Sequence, residues 1–218
     1  MRISVIGSGA WGSALAKCFS DGGHQVTMWS HDAALAAEIE RARENAVFLR
    51  GARFGDSFHC TADLREAVVG AEVVVSVTAS HFVRATMARA AEHLEPEAVV
   101  VSASKGIEVD SLATMFEVLR DVLPGPVSGR LAILSGPSFA REVGAGKPTA
   151  VVVASRHLAV AKRLQTAISN TRLQPDEGNA TANDATTTTA NRMADAWEDT
   201  PRIQRVNGYV QPRIPGVV

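Results

Sequence analysis

The sequence predicts an α/β fold built on a doubly wound parallel sheet, and two observations carry this prediction. Short runs rich in β-branched residues alternate along the chain with segments whose apolar residues recur at helical spacing. The runs are almost continuously apolar, as is typical of strands that helices cover on both faces. Strands that alternate with helices in this way form parallel sheets with right-handed crossovers.

The predicted elements follow one another from the first residues to about residue 169. Apolar or β-branched runs predict strands at 3–6, 25–29, 72–77, 98–102, 131–134 and 149–153. Apolar residues at helical spacing predict helices at 13–20, 33–43, 81–93, 112–123 and 158–168. Ser80 and the pair Asp110-Ser111 precede two of these helices, so we expect them to be the N-caps.

A glycine-rich motif, Gly7-Ser8-Gly9-Ala10-Trp11-Gly12, lies directly between the first predicted strand and the first predicted helix. In this setting a G-x-G-x-x-G motif predicts dinucleotide binding and a Rossmann-like fold, whereas the motif by itself leaves dinucleotide binding and a glycine-rich turn without ligand both open. Gly7 permits a tight turn, Gly9 lets the backbone approach a pyrophosphate, and Gly12 lets the helix pack close to the sheet. The free N–H groups at the start of the helix would face the phosphates.

The end of the second predicted strand departs from the usual dinucleotide fingerprint. An acidic residue about 20 residues beyond the glycines usually holds the adenosine ribose. This chain has Trp29-Ser30-His31 there, and Asp32 comes only after it. Without that acid the site discriminates less against a 2′-phosphate, and His31 would favour one. The residues leave NAD and NADP both open, with His31 either a ligand or a surface histidine.

Three polar loops directly follow predicted strands, at 78–81, 104–106 and 135–138. Because ligands of such sheets bind at the carboxyl ends of the strands, we expect these loops to share one crevice with the glycine motif. In that crevice Lys105 would reach a phosphate or polarise a carbonyl, unless it is a solvated loop lysine. The turn Gly136-Pro137-Ser138 would hold a small polar substrate, unless it only joins a strand to a helix.

Composition narrows the classes of partner. The 22 basic residues nearly cancel the 23 acidic ones, so the net charge of -1 gives no general attraction for nucleic acid or for anionic membranes. No apolar run is long enough to cross a bilayer, so we expect no membrane insertion. Cys18, Cys60 and the scattered histidines show no metal-ligand spacing, which predicts a cytoplasmic protein without a metal site.

Composition also divides the chain. After about Ser169 the apolar periodicity fades, and residues 179–191 are dominated by threonine, alanine and asparagine. Such a segment has too little apolar surface to offset the entropy of ordering. The sequence therefore predicts a dinucleotide-binding domain over residues 1–169 and an irregular or disordered tail over residues 170–218.

Taken together, the motifs of this chain resemble those of the bacterial NAD(P)-dependent glycerol-3-phosphate dehydrogenases. Five motifs occur in the family's order over roughly three-quarters of the chain: Gly7 to Gly12, Trp29 to Asp32, Asn45 to Leu49, Ser104 to Glu108 and Leu134 to Ala140. The last two distinguish this family from other Rossmann-like dehydrogenases. The resemblance implies reversible hydride transfer between NAD(P)H and dihydroxyacetone phosphate, which gives sn-glycerol 3-phosphate for phospholipid synthesis.

The resemblance also implies roles for individual residues. Those implied to contact the dinucleotide, besides the glycines, are Ala10, Trp11, His31, Phe48 and Ala140. Lys105 is implied to touch both the coenzyme and the substrate. Gly136 and Ser138 are implied to bind glycerol 3-phosphate or dihydroxyacetone phosphate. The oligomeric state stays open.

The C-terminal part departs from the family pattern. Members of the family continue into a helical domain that supplies an acid/base lysine, whereas residues 170–218 contain no lysine and match nothing in that domain. We therefore assign no catalytic residue and expect slow turnover, since a positioned acid/base contributes about 10²–10⁴-fold. The alternative is a catalytically inactive nucleotide-binding or scaffold module.

Overall fold

The structure is a computed structural model that describes residues 1–135, 139–147, 149 and 151–168, and the backbone of residues 205–206 and 209–210. The strands are β1 (Arg2–Ile6), β2 (Gln25–Trp29), β3 (Phe58–Thr61), β4 (Val73–Ser76), β5 (Val99–Ser102), β6 (Ala132–Ser135), β7 (Val152–Ser155), β8 (Arg205–Val206) and β9 (Tyr209–Val210). The helices are α1 (Ala10–Asp21), α2 (Ala33–Ala42), α3 (Leu64–Val68), α4 (Ser80–Ala91), α5 (Met115–Val122), α6 (Gly125–Ser128), α7 (Ala140–Gly144) and α8 (Leu158–Ile168).

The described strands β1 to β7 form one sheet in the order β3-β2-β1-β4-β5-β6-β7. The strand order reverses between β1 and β4, where Ile6 of β1 lies opposite Ser76 of β4. In a sheet of this kind the crevice for a ligand opens at the carboxyl ends of the strands beside that reversal. The glycine motif follows β1 directly, so the fold places it at the mouth of the crevice.

Helices cover both faces of the sheet, as the almost continuous apolar strands require. One core layer contains Phe19 of α1, Ile39 of α2 and Leu164 of α8 against β1, β2 and β4 to β6. The other contains Met87 of α4 and Leu119 of α5, together with residues of α3, against the same central strands. The predicted doubly wound α/β fold is therefore confirmed.

The last strand of the sheet departs from the predicted parallel arrangement. β7 begins at Val152 and pairs with β6 in the antiparallel direction. The connection between them contains α7, which has five residues and packs against α1. Such a helix is only about 7.5 Å long, too short to carry the chain back along the sheet for a parallel crossover.

Two predicted helix caps are wrong. Helix α5 begins at Met115, after a capping box in which the Thr114 side chain accepts from the Glu117 N–H, and Asp110-Ser111 lies in the preceding loop. The N-cap of α4 is Ala79, and Ser80 is already its first helical residue. The sequence prediction favoured the first polar residues before each apolar run and missed the reciprocal pair of Thr114 and Glu117. In this pair each side chain accepts a hydrogen bond from the backbone N–H of the other residue.

Beyond residue 168 the structure describes only the backbone of β8 and β9, which pair with each other in the antiparallel direction. The predicted tail over residues 170–218 otherwise lies outside the described residues, so the domain division stays a prediction. Within the described residues, no helix combines the length and the apolar character that a membrane span requires.

Candidate functional site

The glycines of the motif have different surroundings. Gly7 adopts a backbone φ of +133°, which residues other than glycine rarely adopt. Its N–H donates to the Trp29 carbonyl oxygen at 3.1 Å. A Cβ at Gly12 would lie 2.0 Å from the Gly7 carbonyl oxygen, so α1 could not pack in its present position. A Cβ at Gly9 would meet no atom of the described residues within 4 Å, and the φ of Gly9, -68°, suits any residue.

None of the described residues therefore packs into the space at Gly9. Gly7 and Gly12 are explained by the turn and by the contact of α1 with the strand end, but Gly9 is explained by neither. A backbone that is left bare next to a helix N-terminus is what a close-approaching ligand needs. This observation shows that the residues present fit a diphosphate at this position.

The starts of the helices point to the same edge. Helices α2, α3 and α5 each have a side chain that caps the N-terminus, from Asp32, Asp63 and Thr114. Helices α1 and α4, which follow the two strands at the reversal, receive no capping hydrogen bond from a described side chain. Their first-turn N–H groups lack intrahelical partners, and the helix dipole makes this end attractive to anions.

A cleft of about 370 Å³ lies between these two helix starts. Its lining includes Ala10, Trp11, Thr78, Ser104, Lys105 and Ala140. Lys105 is the charged residue of this lining, and the Thr78 hydroxyl is buried without a hydrogen-bond partner in the described structure. A cleft with one ammonium group and two uncapped helix starts is suited to an anionic ligand.

Ser104 attaches the loop that carries Lys105 to the end of β4. Its hydroxyl donates to the Thr78 carbonyl oxygen at 2.7 Å. The expected meeting of two strand-end loops at one crevice is thus confirmed for residues 78–81 and 104–106. The third loop is only partly described, because Gly136, Pro137 and Ser138 lie outside the described residues.

Asn45 is a supporting residue to which sequence reasoning assigned no role. Its amide is fully buried and donates to the Ser8 carbonyl oxygen and to Ser13 Oγ, both at 2.8 Å. Its carbonyl oxygen accepts from the Phe48 N–H at 3.1 Å. Asn45 therefore joins the glycine loop to the segment that carries Phe48. A polar residue inside a short motif was the signal, but nothing in the spacing says what it contacts.

The remaining predicted residues lie at the periphery. His31 is exposed beyond the end of β2, and Phe48 is 48% exposed. Neither belongs to the lining of the 370 Å³ cleft, whereas Ala10, Trp11, Lys105 and Ala140 do. Asp32 is engaged as the cap of α2, where it accepts from the Leu35 N–H at 3.0 Å, so its carboxylate serves the helix.

Among the described residues, the Cys60 thiol has a raised pKa and no cluster of metal-binding side chains is found. Burial, together with the nearby Glu40 carboxylate, raises the pKa of the Cys60 thiol to about 12. Among the described residues, no group of three histidine, cysteine, aspartate or glutamate side chains is arranged to hold a metal ion.

Comparisons with known proteins agree with a dinucleotide site at the glycine motif. Residues 2–161 match the family model described as the N-terminus of NAD-dependent glycerol-3-phosphate dehydrogenase. A glycerol-3-phosphate dehydrogenase (NAD(P)+) from Anaeromyxobacter dehalogenans is 43% identical over 175 residues, which are 80% of this chain and 53% of that protein. The enzyme of the same name from Geobacter sp. strain M21 is 45% identical over 168 residues, 77% of this chain and 50% of that protein.

The comparison with solved structures agrees. The crystal structure of glycerol-3-phosphate dehydrogenase from Coxiella burnetii matches with a TM-score of 0.71 and 26% identity, over 78% of this chain and 51% of that one. This chain spans about half the length of the curated relatives that it matches. By its sequence and by its fold, the chain belongs to the NAD-dependent glycerol-3-phosphate dehydrogenase family, through the N-terminal domain that residues 2–161 match.

Proposed function

We propose that this chain binds NAD(H) or NADP(H), with the diphosphate against the start of α1 and the nicotinamide end in the 370 Å³ cleft. The observation that carries the proposal is the bare backbone at Gly9, beside a helix start without a capping side chain. The diphosphate would accept hydrogen bonds from the first N–H groups of α1. Neither the turn nor the packing of the described residues needs a glycine there, but a ligand does.

The roles of the surrounding residues are part of the same proposal. Trp11 and Ala140 flank the cleft and would bound the nicotinamide end. Lys105 would place its ammonium group against the coenzyme and the substrate, since it is the charged residue of the lining. His31, exposed past β2, would lie towards the adenosine ribose, and Phe48 would lie against the dinucleotide from the loop that Asn45 attaches.

We further propose that the chain supplies the coenzyme-binding domain for reversible hydride transfer between NAD(P)H and dihydroxyacetone phosphate. When bound, the coenzyme supplies or accepts the hydride. The residues of this chain would orient the ring, hold the anionic groups and exclude water. Glycerol 3-phosphate or dihydroxyacetone phosphate would be held by Gly136 and Ser138, a role that rests on the family resemblance alone.

We expect the 218-residue chain to turn over slowly by itself. Reduction of a ketone needs a proton at the oxygen as the hydride arrives at the carbon. In the described lining of the cleft, Lys105 is the ionisable group, and the proposal already assigns its charge to holding ligand. A cytoplasmic location fits this function and the two buried cysteines, Cys18 and Cys60, neither of which is in a disulfide.

The test is a fluorescence titration of the purified chain with NADH and with NADPH. Trp11 lies in the cleft lining, so we expect quenching and energy transfer to the reduced nicotinamide, with a dissociation constant of the order of micromolar to hundreds of micromolar. Gly9→Val is the control, because its side chain would fill the space that the diphosphate needs. Absence of binding by both coenzymes in the titration and in calorimetry would refute the proposal.

A further inference from the structure

The loop that carries Lys105 is fastened to α4 by a forked ion pair. Nε of Arg84 donates to Glu108 Oε1 at 2.8 Å, and Nη2 of Arg84 donates to Glu108 Oε2 at 2.9 Å. Arg84 lies in the second turn of α4, and Glu108 lies three residues beyond Lys105. A two-point contact between a planar guanidinium and a carboxylate fixes orientation as well as distance.

The same loop is held on the other side of Lys105. The Ser104 hydroxyl donates to the Thr78 carbonyl oxygen at 2.7 Å, directly before the lysine. Directly after it, Gly106 adopts φ +101° and passes Ser80, the first residue of α4. The loop also closes on itself, because the Glu108 N–H donates to the Ala113 carbonyl oxygen at 2.9 Å. The loop is therefore held on both sides of Lys105, by Ser104 before it and by Glu108 after it, and both contacts are made with the β4–α4 segment.

Among the described residues, none forms an ion pair with the lysine that would hold it in place. Within the described residues Lys105 is exposed and forms no ion pair. Glu108 is the acidic residue nearest to it along the chain, and both oxygens of that carboxylate are occupied by Arg84. The Ser111 hydroxyl also donates to Glu108 at 2.5 Å. The ion pair thus fixes the loop and also keeps the carboxylate from pairing with the lysine.

We propose that Arg84 and Glu108 are positioning residues for Lys105, which hold its loop at the cleft and leave its ammonium group free for ligand. This inference rests on the proposed function of Lys105 in binding the coenzyme. If Arg84 is removed, Glu108 is released, so the loop loses an anchor and the lysine gains a competing partner. If Glu108 is removed, the anchor is lost without the competitor.

A double-mutant cycle tests the proposal, with the dissociation constant for NADH measured by calorimetry on the 218-residue chain. Lys105→Met should weaken binding about tenfold, since it removes one charge-assisted contact. Glu108→Gln and Arg84→Leu should each weaken it about three- to tenfold, with Arg84→Leu the more severe. In the Lys105→Met background, Glu108→Gln should cause no further loss, because it acts through the lysine.

Controls separate this role from general stabilisation. Glu38→Gln breaks another forked pair, with Arg41 at 2.7 Å on α2, and should leave NADH affinity unchanged. At neutral pH the melting temperatures of the variants should fall only slightly below that of the wild type, as expected for largely exposed ion pairs. Additive losses in the cycle, or an equal loss in Glu38→Gln, would overturn the positioning role while wild-type binding persists. An unchanged affinity in Lys105→Met would instead overturn the role of Lys105 in the proposed function, and absence of wild-type binding would overturn the proposed function itself.

Discussion

The glycine motif makes a sharp prediction, because the same substitution at two of its positions should weaken coenzyme binding for different reasons. Gly9→Ala places a methyl group where no described atom lies within 4 Å, whereas Gly12→Ala places one 2.0 Å from a backbone oxygen and 3.1 Å from a Val77 methyl carbon. The first should preserve the fold and strongly weaken coenzyme binding. The second should damage the fold itself.

For Gly9→Ala the terms in the free energy of unfolding nearly cancel. Alanine is a poorer N-cap than glycine, at a cost of roughly 0.5–1 kcal/mol. It also restricts the unfolded chain, which stabilises by about 0.4–1 kcal/mol at a compatible φ such as -68°. The net change should be within about 0.5 kcal/mol. A methyl group over the helix start would hold phosphate oxygens out of hydrogen-bond range, and loss of two charge-assisted bonds at about 1.5 kcal/mol each weakens binding on the order of 100-fold.

For Gly12→Ala the gain in helix propensity, about 1 kcal/mol, is opposed by a clash that rigid backbone cannot absorb. The carbonyl oxygen of Gly7 at 2.0 Å belongs to the strand–helix turn, so α1 must move by more than 1 Å to restore van der Waals distance. Overpacking of this kind costs about 1–3 kcal/mol or more. We expect a net loss of roughly 2 kcal/mol, with weaker binding as a consequence of the displaced helix.

Urea unfolding and calorimetry with NADH on both variants provide the assay. Gly129→Ala is the matched control, because a Cβ at this position would make only ordinary contacts, at 3.6 Å. Gly129 lies just before β6, at the amino ends of the strands, whereas the cleft lies at their carboxyl ends. It should change neither stability nor binding appreciably. Wild-type affinity in Gly9→Ala, or wild-type stability in Gly12→Ala, would refute the assignment of these two glycines.

Three further predictions concern the surroundings of the site. Asn45→Ala should lower the free energy of unfolding by about 2 kcal/mol in urea titrations. The variant loses the buried hydrogen bonds from the Asn45 amide to the Ser8 carbonyl oxygen and to Ser13 Oγ, and nothing replaces them. Cys60 should resist thiol reagents at pH 8 in the folded protein, because a pKa of about 12 leaves roughly one thiolate in 10⁴, and it should react on unfolding. The hydrogen bonds from Arg84 and Ser111 lower the pKa of Glu108 from 4.5 to about 2, so its stabilising effect is complete above pH 4.5 and disappears as the pH falls towards 2. The difference in melting temperature between the wild type and Glu108→Gln should therefore narrow over that interval, and a constant difference would contradict the ion-pair account.

Local chemistry explains why the start of the site could be predicted. A strand of five residues, three glycines at fixed spacing and a helix lie within the first 21 residues, so the prediction needs no long-range information. The convergence of Thr78 and Lys105 on the same cleft could also be predicted, because parallel strands bring their carboxyl ends to one edge. These parts depend on periodicity and topology alone.

Other features depend on contacts that a sequence pattern does not record. Strand β3 was not predicted, because Phe58–Thr61 is a four-residue edge strand with a partly exposed histidine, and its apolar run is too short to stand out. The antiparallel direction of β7 follows from the brevity of α7 and its packing on α1. The hydrogen bonds from Asn45 to Ser8 and Ser13 and the fork between Arg84 and Glu108 join residues 24 or more positions apart, which no local pattern specifies.

The central claim is that a coenzyme diphosphate lies against the start of α1, over Gly9. A crystal structure of the chain with NADH bound tests it most directly. We predict density for the diphosphate within hydrogen-bond distance of the N–H groups in the first turn of α1, with the nicotinamide ring in the cleft beside Trp11 and Lys105. Density for the coenzyme at another place on the molecule, with the space over Gly9 filled by solvent, would contradict the account.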